Sequence, residues 1–276
     1  MPTVPDVFEF SCDRAEFRTV QERAGIELYR ANIVRHAFEP HTHEAFGFGV
    51  IEQGVERFRY RGTDHLAAAD AIVMMNPDVL HTGRAESQDG WRYRMLYIAP
   101  DALKDAAGED GWWFSDAVVQ SDPNRARYLS QLLQAMWLAD DALTFDCHLS
   151  QFVATLRPYA SNRRDRAEGG AVRFASVIDF MHANLGSAIT LNDLAGVAGL
   201  SRFHFLRQFQ SQYHATPHQM LMALRLHSAK CLLARGMAPA AVATDVGLTD
   251  QAHLSRAFVL RYGVTPARYR RQVRAW

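Results

Sequence analysis

Two sets of side chains in this 276-residue sequence have the types and the spacing to act together. The first is Arg202, Phe203, Leu206, Arg207 and Gln210, matched further along by Gln251, Ala252, His253 and Arg256, with Ser255 beside them. Arg and Gln offer paired hydrogen-bonding groups that fit the guanine and adenine edges of a major groove, and apolar groups fit the thymine methyl. A plain solvated helix face accounts for any one of these residues equally well. It accounts poorly for both faces together, since Phe203 and Leu206 are poor choices where solubility is the sole task. The second set is His41, His43 and His81, joined by Tyr93. Two histidines spaced by two fall on one face of a strand. With a third from a neighbouring strand they would form either a facial metal set or a polar mouth for an organic ligand. For each residue taken singly, a satisfied polar group at a strand end serves as well.

The elements that must position the first set form a repeat. One helix-turn-helix pattern is written twice, as Ala195 to Gly199, then Phe209, Tyr213 and Pro217, and as Ala243 to Gly247, then Phe258, Tyr262 and Pro266. Every spacing agrees except that from Gly to Phe, which is ten residues in one copy and eleven in the other. Ala195 and Ala243 let two helices approach closely, and Gly199 and Gly247 allow the positive φ of the turn. Ser201 and Asp250 are placed to cap the second helix of each copy. Phe205 with Phe209, and Leu254 with Phe258, form the buried stripes. Between the copies, the run from Pro217 to Gly236 begins and ends like a helix of roughly 28 Å, which would set the two reading faces about one turn of B-DNA apart, ~34 Å.

Formal net charge is zero, but it is unevenly divided. Residues 170–276 hold twelve Lys and Arg against four Asp, a formal +8, which leaves −8 for residues 1–169. A basic module joined to an acidic one suits a nucleic-acid reader with a separate sensor. Cys12, Cys147 and Cys231 are far apart, which suggests neither a disulfide framework nor a Cys-rich zinc site, and they are expected as buried small hydrophobes. The start of the chain lacks a basic and apolar leader and no apolar run approaches 18 residues, so a cytoplasmic protein is expected.

The first hundred residues read as short strands: 26–34, 46–51, 55–60, 71–75 and 91–98, with a turn at Glu52-Gln53-Gly54. Such spacing suggests a small barrel or jelly roll. Two amphipathic helices follow, one opened by Asp122-Pro123 with Tyr128, Leu129, Leu132, Leu133, Met136 and Trp137 on its apolar face, the other over 144–159. They would cover the barrel, form a dimer seam, or both. Residues 161–170 are charged and end in glycine, as a linker does. The expected fold class is therefore α+β with two domains, each with its own core. A sensor and dimerisation domain spans 1–162, with the barrel over about 20–100 and helices over about 101–160; a linker spans 163–171, and an all-α double helix-turn-helix domain spans 172–276.

With GLSRFHFLRQF, RLHSAKCLLARG and GLTDQAHLSRAFVLRYGVTPARYRR in that order, residues 172–272 resemble the DNA-binding domain of the AraC/XylS family of bacterial transcription regulators. The resemblance implies that both recognition helices enter major-groove segments, with base contacts at Phe203, Leu206 and Arg207 and at Gln251, Ala252, His253 and Arg256. Leu206 stands where a polar base reader is common, so direct readout by the first helix is expected to be weaker. The order His41-Thr42-His43, Gly54 and Pro77-Asp78-Val79-Leu80-His81 resembles the cupin-like effector domain that many such regulators carry. The implied partners are double-stranded DNA half-sites, a small-molecule effector at His41, His43, His81 and Tyr93, a second copy of the chain, and RNA polymerase. Metal-binding cupins usually add a Glu four or five residues after the second His, where this chain has Gly47 and Phe48. No metal and no cofactor are therefore expected. The rival readings are a metal-dependent cupin enzyme fused to a DNA-binding module, and a DNA-architectural protein without a ligand. No Ser/His/Asp, Walker-type or dinucleotide-binding signature supports the enzyme.

Overall fold

The computed structural model describes residues 12–20, 23–162 and 174–274. Its amino-terminal half is built on eight strands: β1 (Arg14–Thr19), β2 (Ile26–Ile33), β3 (Ala37–His41), β4 (Phe46–Tyr60), β5 (Thr63–Ala68), β6 (Ile72–Met75), β7 (His81–Ala85) and β8 (Trp91–Ile98). Strand β4 belongs to two layers. Its first part pairs with β8 and β6, and residues 55–60 pair with β5 and β7. The change of layer falls at a register shift between Ile51 and Gln53. There Gly54 takes φ +77°, with the Gly90 carbonyl 2.0 Å from where a Cβ would stand. The expected turn at Glu52-Gln53-Gly54 is thus a bulge, which bends a strand and keeps it paired. The main sheet runs β1-β2-β8-β4-β6-β10, with β10 at Val118–Val119, and does not close. The expected barrel is an open two-layered sheet.

Alternation along the strands sends side chains to two faces. One face carries Leu28, Phe48, Val50, Met74 and Leu96, covered by α1 (Pro100–Ala107), α2 (Pro123–Leu138) and α3 (Ala142–Leu156). Asp122 and Asp141 cap α2 and α3 by accepting from the amides of Arg125 and Thr144. Tyr128 was expected on the buried face of α2 but is exposed. Cys147 lies on the side of α3 opposite Phe145 and Leu149, and Cys12 and Cys231 are exposed too, so the cysteines are not core residues. A short pair, β9 (Trp112–Phe114) with β11 (Ala160–Asn162), closes this half. The expected linker at 163–171 lies outside the described residues.

The carboxy-terminal half comprises α4 (Ala175–Ala183), α5 (Leu191–Val197), α6 (Arg202–Tyr213), α7 (Pro217–Ala234), α8 (Pro239–Asp245), α9 (Gln251–Tyr262) and α10 (Pro266–Arg274). The first helix-turn-helix has a core of its own, with Phe174, Val177, Met181, Leu194, Phe205 and Phe209. The second does not. Phe258, Tyr262 and Tyr269 belong to one continuous apolar cluster with Phe17, Tyr29 and Tyr93 of the inner sheet face. The expectation of two separate cores is corrected accordingly. An open sheet leaves an apolar inner face, and the second helix-turn-helix covers it.

Candidate functional site

Both turns of the repeat are formed as the residues require. Gly199 and Gly247 have φ of +64° and +72°, and Ala195 and Ala243 are buried. Ser201 accepts the His204 amide at the start of α6, and Asp250 accepts the His253 amide at 2.7 Å at the start of α9. Burying Phe205 and Phe209 turns Arg202, Phe203, Arg207 and Gln210 outward, with Leu206 half-buried. Phe203 is 71% exposed, a large apolar ring with no folding task. On α9, Leu254 and Phe258 are buried, Gln251, Ala252 and Arg256 are exposed, and His253 is half-buried. Ser255 does not join that face, because it is buried one position from Leu254. The 18 residues of α7 give roughly 27 Å at 1.5 Å per residue between the two motifs.

The second set also converges. His41 ends β3, and His43 lies beyond it rather than on the same strand, yet its ring centroid is 5.1 Å from that of His41 and 5.2 Å from that of His81. His41 and His81 face each other across the β3–β7 pair, with ring centroids 4.2 Å apart. Tyr93 lines the same small cavity of about 40 Å³, together with Glu56, Arg261 and Tyr262. Burial holds all three imidazoles neutral, that of His81 down to about 4, and mutual repulsion adds to this for His41 and His43. Burial likewise pushes the Glu56 carboxyl up to about 8.

Sequence reasoning missed what closes this cavity. Arg261, the penultimate residue of α9, is buried and donates to the carbonyls of Pro40 and Met222, which fastens α9 to the strand that ends in His41. The Tyr262 ring centroid is 6.5 Å from that of His43. Lys230 of α7 pairs with Glu27 of β2 amid the rings of Phe17, Tyr97, Tyr262 and Tyr269. The Tyr269 hydroxyl donates to Glu27 at 2.8 Å, and the Thr19 hydroxyl donates to the Val273 carbonyl at 3.1 Å. His227 places Nε2 at 3.3 Å from Glu44 and at 3.5 Å from the Cys231 thiol. Burial opposes protonation of His227, but hydrogen bonds to Cys231 and Glu44 outweigh it and raise the ring to about 9. The burial of these cations in a helical module reports a partner surface, since Lys and Arg are seldom buried without one, but no local spacing in the sequence signals it. A larger cavity of about 900 Å³ lies between the sensor and the first helix-turn-helix, bordered by Arg61, Trp112 and Trp113 on one side and by His182, Tyr213 and Met220 on the other.

Comparison with known proteins supplies a context for this arrangement. Residues 23–154 match the profile of an AraC-like ligand binding domain, and residues 194–272 match that of a helix-turn-helix domain. The chain is 27% identical over 253 residues to the HTH-type transcriptional regulator YbfI of Bacillus subtilis, across 87% of this chain and 90% of that protein. It is 26% identical to the raffinose operon transcriptional regulatory protein RafR of Pediococcus pentosaceus, across 89% and 88%. In architecture it is similar to apo ToxT of Vibrio cholerae, with a TM-score of 0.59 over 91% of this chain and 98% of that one, at 11% identity.

Proposed function

The chain belongs to the AraC/XylS family of bacterial transcription regulators, and on that premise we propose a specific division of labour within it. It is a DNA-binding regulator with an amino-terminal ligand-binding domain, and it is not an enzyme. Arg202, Phe203, Leu206, Arg207 and Gln210 read one half-site segment, and Gln251, Ala252, His253 and Arg256 read the next. The sensor responds to a ligand at His41, His43, His81 and Tyr93. The observation that carries this reading is the fastening of α9 to β3 by Arg261, because one helix then belongs both to the base-reading face and to the wall of the histidine cavity. A ligand that binds better to one arrangement of this seam shifts the population of the other, and with it the freedom of the second helix-turn-helix to enter DNA.

The protein acts in the cytoplasm as a homodimer on paired half-sites, with RNA polymerase as its downstream partner. Leu138 and Leu143, 67% and 73% exposed at the α2–α3 corner, supply apolar surface for the dimer contact. Among the described residues no helix is long and apolar enough to cross a membrane. The test is selection of random duplexes on the full-length chain, followed by affinity measurements against salt. Enrichment of a two-part site, with affinity falling steeply as salt rises, is expected. Recovery of unrelated sequences at equal affinity would defeat the reading.

A further inference from the structure

One ring nitrogen each from His41, His43 and His81 lies within 4.8 Å of those of the other two, and all three residues are buried. Three points so spaced share a centre no more than about 2.8 Å from each, so shifts of under 1 Å bring the rings to the ~2.0–2.1 Å of a zinc–imidazole bond. Two of the rings make an outer hydrogen bond that leaves Nε2 free. His41 Nδ1–H donates to the Glu39 carbonyl at 2.7 Å, and His81 Nδ1–H donates to the Val79 carbonyl at 3.0 Å. A carbonyl only accepts, so each Nδ1 carries the ring proton and each Nε2 is left as a bare lone pair. Such an outer contact is what fixes the tautomer and direction of a metal-binding imidazole. His43, 7% exposed, has a buried Nε2 with no hydrogen-bond partner.

Size and valence then select the ligand. An organic effector of ordinary size needs several hundred Å³, and the cavity offers about 40 Å³. A water molecule fits, but its two protons serve only the Nε2 lone pairs of His41 and His81 and draw in no third nitrogen from His43. A single cation satisfies all three at once. The set contains neither carboxylate nor thiolate, which disfavours magnesium and calcium and suits the imidazole-seeking first-row ions.

We propose that His41, His43 and His81 bind one divalent transition-metal ion, of the zinc, cobalt or iron(II) type, with its remaining positions facing the cavity shared with Tyr93 and Tyr262. The proposal rests on the sensor reading above in taking this cavity for the ligand site and goes beyond it in naming the ligand. The missing Glu after His43 does not forbid it, since three histidines with an open position form a complete set for zinc.

The test uses full-length protein stripped with a chelator and titrated with Co(II), followed by competition with Zn(II). One equivalent of Co(II) should develop visible ligand-field bands without thiolate charge transfer, and Zn(II) should abolish them, whereas Mg(II) should not. The variants His43→Gln and His81→Gln should weaken Co(II) binding roughly 100-fold or more. Cys231→Ser, which alters the separate Cys231–His227 pair, should leave the titration unchanged. X-ray absorption of the wild-type zinc adduct should show an imidazole shell, and this measurement stands even if a histidine variant does not fold. Absence of bands from wild type, undiminished bands in both histidine variants, or a sulfur-containing or imidazole-free shell would overturn the proposal. None of these readouts involves DNA, so their failure leaves the regulator reading intact, and loss of sequence-selective DNA binding leaves the metal result standing.

Discussion

Lys230 of α7 and Glu27 of β2 form an ion pair across the seam between the DNA-binding module and the sensor, with side chains only 10% and 12% exposed. Removing one partner of so buried a pair strands the other charge, at a cost of about 3–5 kcal/mol, whereas replacing both with groups of similar shape is often close to neutral. Glu27→Gln and Lys230→Met should each lower stability by amounts of that order, and the double variant should recover most of the loss. A double-mutant cycle by urea unfolding measures this. Simple additivity of the two losses would show that the pair is not the unit that holds the seam.

The base-reading and backbone-anchoring arginines should separate in DNA binding. Arg256, exposed on α9, should on substitution by Ala cost roughly 1–3 kcal/mol on the selected site and relax preference at one position. Arg270, half-buried on α10, should on the same change weaken all sequences alike. Affinities on selected and random duplexes decide it. Equal losses on both duplexes for Arg256→Ala would remove α9 from base readout.

The outward faces of α6 and α9 were legible in the sequence because a helix declares its buried stripe locally. Phe205 and Phe209 are four apart, Ser201 precedes them, and the outward face follows by subtraction. Ser255 escaped this logic since it adjoins Leu254 at the edge of the stripe, where its burial is not declared by local spacing. The same limit hid the seam. Arg261 and Lys230 enter the sequence reading only as part of the basic charge, and their burial depends on Pro40 and Glu27, more than 200 residues away. Gly54 marked a bend correctly but could not say whether the chain turned back or carried on, because that is decided by Gly90 on the neighbouring strand. The histidines were legible as a group through their types. Their convergence depended on the β3–β7 pairing.

The two turn glycines, equivalent in sequence, should differ in tolerance. Both hold positive φ, which costs a residue with a Cβ roughly 1–2 kcal/mol. At Gly199 a Cβ meets nothing within 4 Å, whereas at Gly247 it would lie 2.6 Å from the Leu185 carbonyl and 2.9 Å from the Arg225 guanidinium. Gly199→Ala should therefore cost about that backbone penalty, and Gly247→Ala measurably more. Thermal unfolding of the two variants compares them, and equal losses would mean that the Leu185–Gly186 segment gives way freely.

Glu56 should impose a pH dependence that runs opposite to that of an ordinary surface carboxylate. Burial raises its pKa from the usual 4.5 to about 8, so between those values the folded chain keeps a proton that the unfolded chain has released. The folded state binds more protons in that window, and stability therefore falls as pH rises, at up to about 1.4 kcal/mol per unit and by several kcal/mol in all by pH 8. Glu56→Gln keeps the shape and removes the titration. The variant should gain on wild type progressively from pH 5 to pH 8, and the buried histidines, whose lowered pKa values make stability rise with pH up to the ordinary imidazole value of 6.5, should affect both proteins alike. Urea unfolding at pH 5, 6.5 and 8 measures the difference, and a constant offset between the two proteins would show that Glu56 is ionised in the folded state.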